Sequence, residues 1–262
     1  MENSEADGGA DSPYLVPAVD RAMRLLALLS QTRREMSLAE LTRDLKLPHA
    51  TAFRLAFTLE RHGLIRRTPV GYEIGPRVLT LGFEYLASQD LVTVARPELT
   101  ALRDLAGVSA NLAVLDGREV IYLCHVASRG AITSRVEVGS RLPAHAASIG
   151  RILLSAMSEE ALVQLYTGVD LPPLPDTVDT PKGLVAQAAA DRARGWVYKH
   201  GVFERDLVAI AAPVFDGAGQ MVAAINLSGP ASAMGEDDDR NEKIPQLLAC
   251  ARTLSKRLGF RG

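Results

Sequence analysis

Apolar residues near the start of the chain recur at helical spacing. Over Val16 to Ser30, Ala18, Ala22, Leu25, Leu26 and Leu29 share one face, which predicts a supporting helix; its remaining apolar residues, Met23 and Leu28, are placed for a dimer contact. A second helix is predicted from Ser37. Ser37-Leu38-Ala39-Glu40 has the S-x-x-E form of a capping box, and Leu38, Leu41 and Leu45 then fall on one buried face. Lys46-Leu47 breaks the period. Pro48 suits the first position of a third helix, where its missing N–H costs no intrahelical bond. There Ala52, Leu55, Ala56 and Leu59 form the apolar stripe, leaving His49, Ala50, Thr51, Phe53 and Arg54 projecting near the N-terminal end. After a stop at His62-Gly63, Leu64-Ile65-Arg66-Arg67 and Gly71-Tyr72-Glu73-Ile74 flank Thr68-Pro69-Val70 as a short hairpin.

Further on, Pro76 to Ser88 and Leu91 to Leu105 read as helices, the second interrupted at Pro97. The pattern then shifts to period two. Ala110 to Leu115 and Glu119 to Ala127 are predicted strands around an Asp116-Gly117 turn, with another over Ile132 to Val138. Helices are expected over Ser148 to Met157, Glu159 to Tyr166, Pro181 to Arg194 and from about Arg240 to Leu258. Strands are expected near Trp196 to His200, Val208 to Phe215 and Met221 to Ser228. Strands joined by hairpins and interleaved with helices indicate an α+β domain with a mainly antiparallel sheet.

Two helices, a tight turn and a basic hairpin make a winged helix-turn-helix. The second helix of such a pair presents its N-terminal residues to the major groove, where Arg54 can pair with guanine and Phe53 can meet a thymine methyl. Candidate DNA contacts are Ser37, His49, Ala50, Thr51, Phe53 and Arg54, with Arg66 and Arg67 of the wing holding phosphates. Charge supports this over a plain helical scaffold with solvated arginines. Residues 13–80 hold 11 Lys and Arg against 6 Asp and Glu, although the whole chain is net −2 and its first 12 residues carry four acids and no base.

The length of 262 residues suggests about two domains, and 47% hydrophobic residues can fill their cores. No apolar run approaches the roughly 20 residues of a membrane span, and the acidic, Gly-rich start is unlike a signal peptide, so a cytoplasmic protein with a loose tail is expected. Cys124 and Cys250 are expected to be buried thiols without a disulfide. The five histidines lack zinc spacing, and neither a P-loop, a G-x-S-x-G elbow nor a G-x-G-x-x-G motif occurs. No cofactor, metal or catalytic residue is expected.

The ordered motifs resemble the isocitrate lyase regulator (IclR) family of bacterial transcription factors. In the first part the likeness is carried by Ser37-Leu38-Ala39-Glu40, Leu47-Pro48, Thr51, Arg54-Leu55, Thr58-Leu59-Glu60, Gly63 and Tyr72-x-Ile74-Gly75. In the second it is carried by Val138-Gly139-Ser140-Arg141-Leu142-Pro143-x-His145-Ala146, Ala211-Ala212-Pro213-Val214-Phe215-Asp216 and Ser228-Gly229-Pro230. The resemblance implies a GAF-like sensor domain for a small organic molecule, a homodimer or homotetramer, and pseudo-palindromic double-stranded operator DNA. It also implies effector contacts at Ser148, Ile149, Lys199, Leu207, Ala209, Asn226 and Ser228; His145, in the matching motif, is a further candidate effector contact. Arg151, where the family usually has Lys, and Lys199-His200-Gly201, where acidic residues are usual, depart from its pattern.

Physical reading adds that Asn226 and Ser228, two apart in an apolar strand, share a face, as do Leu207 and Ala209. A helix opening at Ser148, with free N–H groups, and Lys199 nearby both favour a carboxylate effector. The expected organisation is a disordered tail (1–12), a winged helix-turn-helix (13–75), a linker helix (76–90) and a GAF-like effector-binding and oligomerisation domain (91–262). The expected function is an effector-responsive regulator, a repressor rather than an activator, whose effector shifts the DNA-binding heads through the helices from Pro76 to Leu105. The alternative is a ligand-independent DNA-binding protein whose C-terminal domain only oligomerises; an enzyme built on the sensor fold has no nucleophile and base to pair.

Overall fold

A computed structural model describes residues 14–32, 34–81, 90–129, 136–171, 174, 177–235 and 241–261. The chain divides into two compact units, Met1–Tyr85 and Leu86–Gly262.

In the first unit, α1 (Pro17–Thr32), α2 (Leu38–Leu45) and α3 (His49–Arg61) precede a hairpin of β1 (Ile65–Arg67) and β2 (Tyr72–Ile74). Their core holds Leu25, Leu29, Met36, Leu41, Leu45, Ala56, Leu59, Ile65 and Tyr72. The first helix differs from expectation at two points. Ala18 is exposed, because it lies in the first turn beyond the reach of this core, and Leu28 packs against the core and is not free for a dimer contact; Met23 is exposed.

The capping box at Ser37 is complete. Glu40 N–H donates to Ser37 Oγ at 3.3 Å, and Ser37 N–H donates to the Glu40 carboxylate at 2.8 Å. Lys46 ends α2 in the left-handed region (φ 53°), its N–H donating to Arg43 O. Pro48 sits one position earlier than expected, as the N-cap of α3, with extended backbone and its carbonyl accepting from Thr51 and Ala52. The wing is fastened by a bridge between Met36 and Tyr72, and a Cβ on Gly71 would lie 2.1 Å from Met36 O, so only glycine permits that approach.

Residues 77–81 are helical; residues 82–89 of the expected linker helix, like the N-terminal tail, lie outside the described residues. In the second unit α4 (Asp90–Ala106) runs unbroken through Pro97. Pro97 is on the exposed face, where water can satisfy the carbonyl it leaves unbonded, so the expected interruption does not occur. The unit is built on a six-stranded sheet in the order β5-β4-β3-β8-β7-β6, antiparallel at every pairing. Its strands are β3 (Ser109–Asp116), β4 (Glu119–Val126), β5 (Arg141–Pro143), β6 (Val197–His200), β7 (Leu207–Phe215) and β8 (Met221–Pro230). The strand expected over Ile132 to Val138 falls partly outside the described residues, and Val136 to Val138 are not in a strand. The sheet is extended instead by β5, whose Leu142 pairs with Val120.

One face of the sheet is covered by α4 and the closing helix α9 (Lys243–Arg257), the other by α5 (Ser148–Leu154), α6 (Glu159–Tyr166) and α7 (Pro181–Arg194). A short α8 (Ala231–Met234) follows β8. Both faces are therefore buried, which explains why β7 and β8 read as nearly continuous apolar runs. Alternation still sorts them: Ala223, Ile225 and Leu227 join the α4/α9 core, whereas Ala224 joins the core on the other face. Cys124 and Cys250 are both free and buried. Burial raises both thiols, with Glu98 adding to the effect at Cys250, which is pushed up to about 12.

Candidate functional site

Two surfaces carry chemistry, one in each unit. On α3 the buried stripe is Ala52, Ala56 and Leu59, with Leu55 half-buried, so His49, Ala50, Phe53 and Arg54 are exposed and Thr51 half-exposed. Phe53 (44% exposed) stacks on Phe57 (54% exposed) with ring centroids 6.4 Å apart. Phe57 was not anticipated, although its place four residues after Phe53, off the core stripe, is a readable signal. Two exposed stacked phenyl rings beside Arg54 form an apolar ridge next to a cation, suited to thymine methyls and base edges.

Two of the expected DNA contacts are already engaged. The Ser37 hydroxyl donates to Glu40 and accepts from its N–H, so its role is to cap α2. Arg66 is ion-paired with Glu73 across the hairpin, whereas Arg67 is exposed with no ion pair among the described residues.

In the second unit a cavity of about 50 Å³ opens between the sheet and α5. It is lined by Ser148, Lys199, Leu207, Ala209, Asn226 and Ser228, all expected, and by Asn111, Tyr122, Val136, Leu142, Ala146, Ala147, Val202 and Phe203, which were not. Asn111 was the readable omission, since it stands in an apolar strand as Asn226 does. Two expected residues do not line the cavity. Ile149 is fully buried in the core between α5 and the sheet, and His145 packs edge-on against Tyr166 at 6.1 Å. Burial lowers the His145 pKa, and its Nε2 has no hydrogen-bond partner.

The polar residues on the wall are deeply buried: Asn111 is 1% exposed, Asn226 3%, Ser228 4% and Lys199 3%. Register assembles them, because Asn111 on β3 stands opposite Asn226 on β8, and Ala209 on β7 stands between Ser228 and Lys199. Asn111 Nδ2 donates to Asn226 Oδ1 at 2.8 Å and to Ser228 Oγ at 3.2 Å. The Ser148 hydroxyl is buried without a partner. Its helix has seven residues, short of two full turns, so its dipole adds little at the cavity. Gly150 lets this helix approach the sheet side, since a Cβ there would lie 2.3 Å from Ala144 O. Arg151 turns away from the cavity and forms a two-bond pair with Asp191 on α7, at 2.8 and 2.5 Å.

Among the described residues no group of three or more His, Cys, Asp or Glu could hold a metal, and no helix is long and apolar enough to cross a membrane. The family model of the IclR helix-turn-helix domain matches residues 18–69, and that of the bacterial transcriptional regulator IclR C-terminal domain matches residues 83–256. The chain belongs to the IclR family. It is 31% identical over 248 residues to the Pca regulon regulatory protein of Pseudomonas putida, covering 94% of this chain and 85% of that protein. Against the HTH-type transcriptional repressor AllR of Escherichia coli (strain K12) it is 30% identical over 224 residues, 84% of this chain and 82% of the repressor.

Solved IclR-type structures share the fold. A transcriptional regulator from Rhodococcus sp. RHA1 superposes with a TM-score of 0.80 at 30% identity, covering 93% of this chain and 98% of that one. An IclR homologue from Microbacterium hydrocarbonoxydans, complexed with 4-hydroxybenzoate, gives 0.79 at 24% identity, with 92% and 98% covered. As an IclR-family protein the chain is a transcriptional regulator with a DNA-binding helix-turn-helix domain and an IclR effector domain.

Proposed function

We propose that this IclR-family regulator is a cytoplasmic, non-enzymatic repressor, acting as a homodimer or homotetramer, released from or locked onto a pseudo-palindromic operator by a small organic acid. The organisation proposed is a DNA-binding head over 13–75, a linker helix over 76–90 and an effector and oligomerisation domain over 91–262. The observation that carries the effector reading is a cavity whose buried wall sets the Lys199 cation beside Asn226, Ser228 and the unpartnered Ser148 hydroxyl. A buried hydroxyl left without a partner costs about 1–3 kcal/mol, which a ligand oxygen would recover. A carboxylate can accept from the Ser148 hydroxyl while lying beside the Lys199 ammonium.

Cavity size sharpens the class. At about 50 Å³ it is a third of the roughly 150 Å³ that admits benzene in an engineered apolar cavity. A short acid fits as the cavity stands, and an aromatic acid requires the Val202-Phe203 wall to yield. The Microbacterium homologue holds an aromatic carboxylate, but at 24% identity that likeness carries the fold, and the ligand class rests on the cavity itself. Repression is supported by the repressor among the relatives and needs nothing beyond occupancy of the operator.

On the DNA side, Thr51, Phe53 and Arg54 of α3 read bases, His49 and Ala50 lie at the groove, and Arg67, with Arg66, holds phosphates. The test is a thermal-shift screen of the full chain against short aliphatic and aromatic carboxylates, sugars and amines. A ligand at about 100 times its dissociation constant adds roughly 2.7 kcal/mol. Binding must also be reciprocal: operator DNA changes effector affinity by the same factor as effector changes operator affinity, typically about 5- to 150-fold. Silence across the acids would favour a C-terminal domain that only oligomerises.

A further inference from the structure

We infer that Tyr122 is the hydroxyl that meets the effector's anionic group, and that His125, acting through Asn111 and Asn226, is the positioning residue that aims it. The inference rests on the reading of the cavity as an organic-acid site.

It begins with a β-bulge. Leu112 pairs with Cys124 and Ala113 with Tyr122, so Leu123 is an extra residue in β4. Tyr122 and His125, three apart, would project from opposite faces of a regular strand; the bulge brings both to the cavity face. Bulges that re-aim a side chain are common beside functional sites.

The hydrogen bonds then have a single consistent direction. Asn111 Nδ2 donates to Asn226 Oδ1 and Ser228 Oγ, which turns Asn111 Oδ1 towards His125 Nδ1 at 2.6 Å. An amide oxygen carries no proton, so Nδ1 of His125 must be the protonated nitrogen. Burial lowers the His125 pKa, keeping the ring neutral at neutral pH, and the Nδ1–H tautomer is therefore a defined state. Asn226, having its oxygen engaged by Asn111, has its NH2 left to face the Tyr122 hydroxyl, an interaction that lowers the phenol pKa against the larger effect of burial. That leaves the Tyr122 proton to donate into the cavity that Lys199 and Ser148 also line. Burial raises the Tyr122 pKa, so the phenol stays a neutral donor across the physiological range.

A merely structural knot across β4, β3 and β8 would need no particular tautomer to serve a ligand, and the test separates the two. Full-length protein with 15N-labelled histidine is examined by long-range 1H–15N correlation, the His125 signals being assigned by their loss in His125→Gln. In parallel, acetate, propionate, benzoate and 4-hydroxybenzoate are titrated calorimetrically into wild type, Tyr122→Phe, His125→Leu and His125→Gln.

The expected result is an Nδ1–H tautomer at His125 in wild type and in Tyr122→Phe. Any acid that binds wild type should bind Tyr122→Phe about ten- to a hundredfold more weakly, the value of one hydrogen bond to a charged group. His125→Leu should weaken the same acid, and His125→Gln, which keeps a donor towards Asn111, should restore it. An Nε2–H tautomer, or equal acid affinity in wild type and Tyr122→Phe, overturns the inference. If none of the four acids binds wild type, the organic-acid reading has failed and the role of Tyr122 falls with it. The tautomer then decides separately whether the relay exists.

Discussion

The DNA-facing helix and the effector cavity are built in opposite ways. On α3 the candidate contacts lie within six consecutive positions, His49 to Arg54, and are mostly exposed, so little of the fold depends on them. The cavity draws its wall from Asn111 to Ser228, brings residues more than a hundred positions apart into hydrogen-bond contact, and buries nearly every polar atom it uses. Surface chemistry can thus be altered without unfolding the unit that carries it. In the cavity, recognition and stability share the same side chains.

The strongest way to break that comparison is to attack the frame of the cavity. Arg151 on α5 and Asp191 on α7 form a two-bond pair with side chains 15% and 7% exposed, and α5 begins at the cavity residue Ser148. Removing one partner of a buried pair leaves an uncompensated charge and costs about 3–5 kcal/mol. Asp191→Ala should lower the unfolding free energy of the second unit, read from urea denaturation, by an amount in that range and weaken acid binding with it, leaving the unfolding of the first unit unchanged. A loss below about 1 kcal/mol would place the pair with exposed ion pairs and refute the shared dependence.

On the other side of the comparison, Arg54→Ala should leave the melting temperature nearly unchanged. It should cost about 1–3 kcal/mol on the operator and relax sequence preference, as a lost base contact does. Arg67→Ala should weaken operator and scrambled DNA alike and reduce the salt slope by about one. Arg66→Ala should act in the same direction but less, since part of its charge is already engaged by Glu73. Competition gel shifts at two salt concentrations measure all three, and equal effects on both DNAs from Arg54→Ala and Arg67→Ala would remove the division between reading and holding.

The same contrast decides what was legible in the sequence. The capping box, the α2 and α3 stripes and the spans of α6 and α7 are local patterns, and each is found where its residues place it. Period two put Asn226 and Ser228 on one face correctly. What period two could not give was register: that Asn111 stands opposite both His125 and Asn226, or that a single extra residue at Leu123 brings Tyr122 to the same face. At Pro97 the sequence alone predicts an interruption, because nothing local shows that its face of α4 is solvent-exposed. Ile149 and His145 were carried over by resemblance, and packing turned both away from the cavity.

The smallest expected effect tests the local side of the comparison, the capping box, by pH alone. The Ser37 backbone N–H, its hydroxyl and Arg34 hold the Glu40 carboxyl down from its usual 4.5 to about 2. A depressed carboxylate pKa means that folding favours the ionised form, so the stabilisation is fully present above about 4.5 and is lost as pH falls through about 2. Glu40 is partly exposed and pairs with an exposed Arg34, so the effect is small and falls further with added salt. In thermal melts from pH 6 to pH 2, wild type should lose melting temperature in that window more steeply than Glu40→Gln. The two should converge at the acid end, because a protonated Glu40 and a glutamine cap alike. Parallel curves across the whole range would mean that the Glu40 charge contributes nothing to holding the start of α2, and the box would then act through the Ser37 hydroxyl alone.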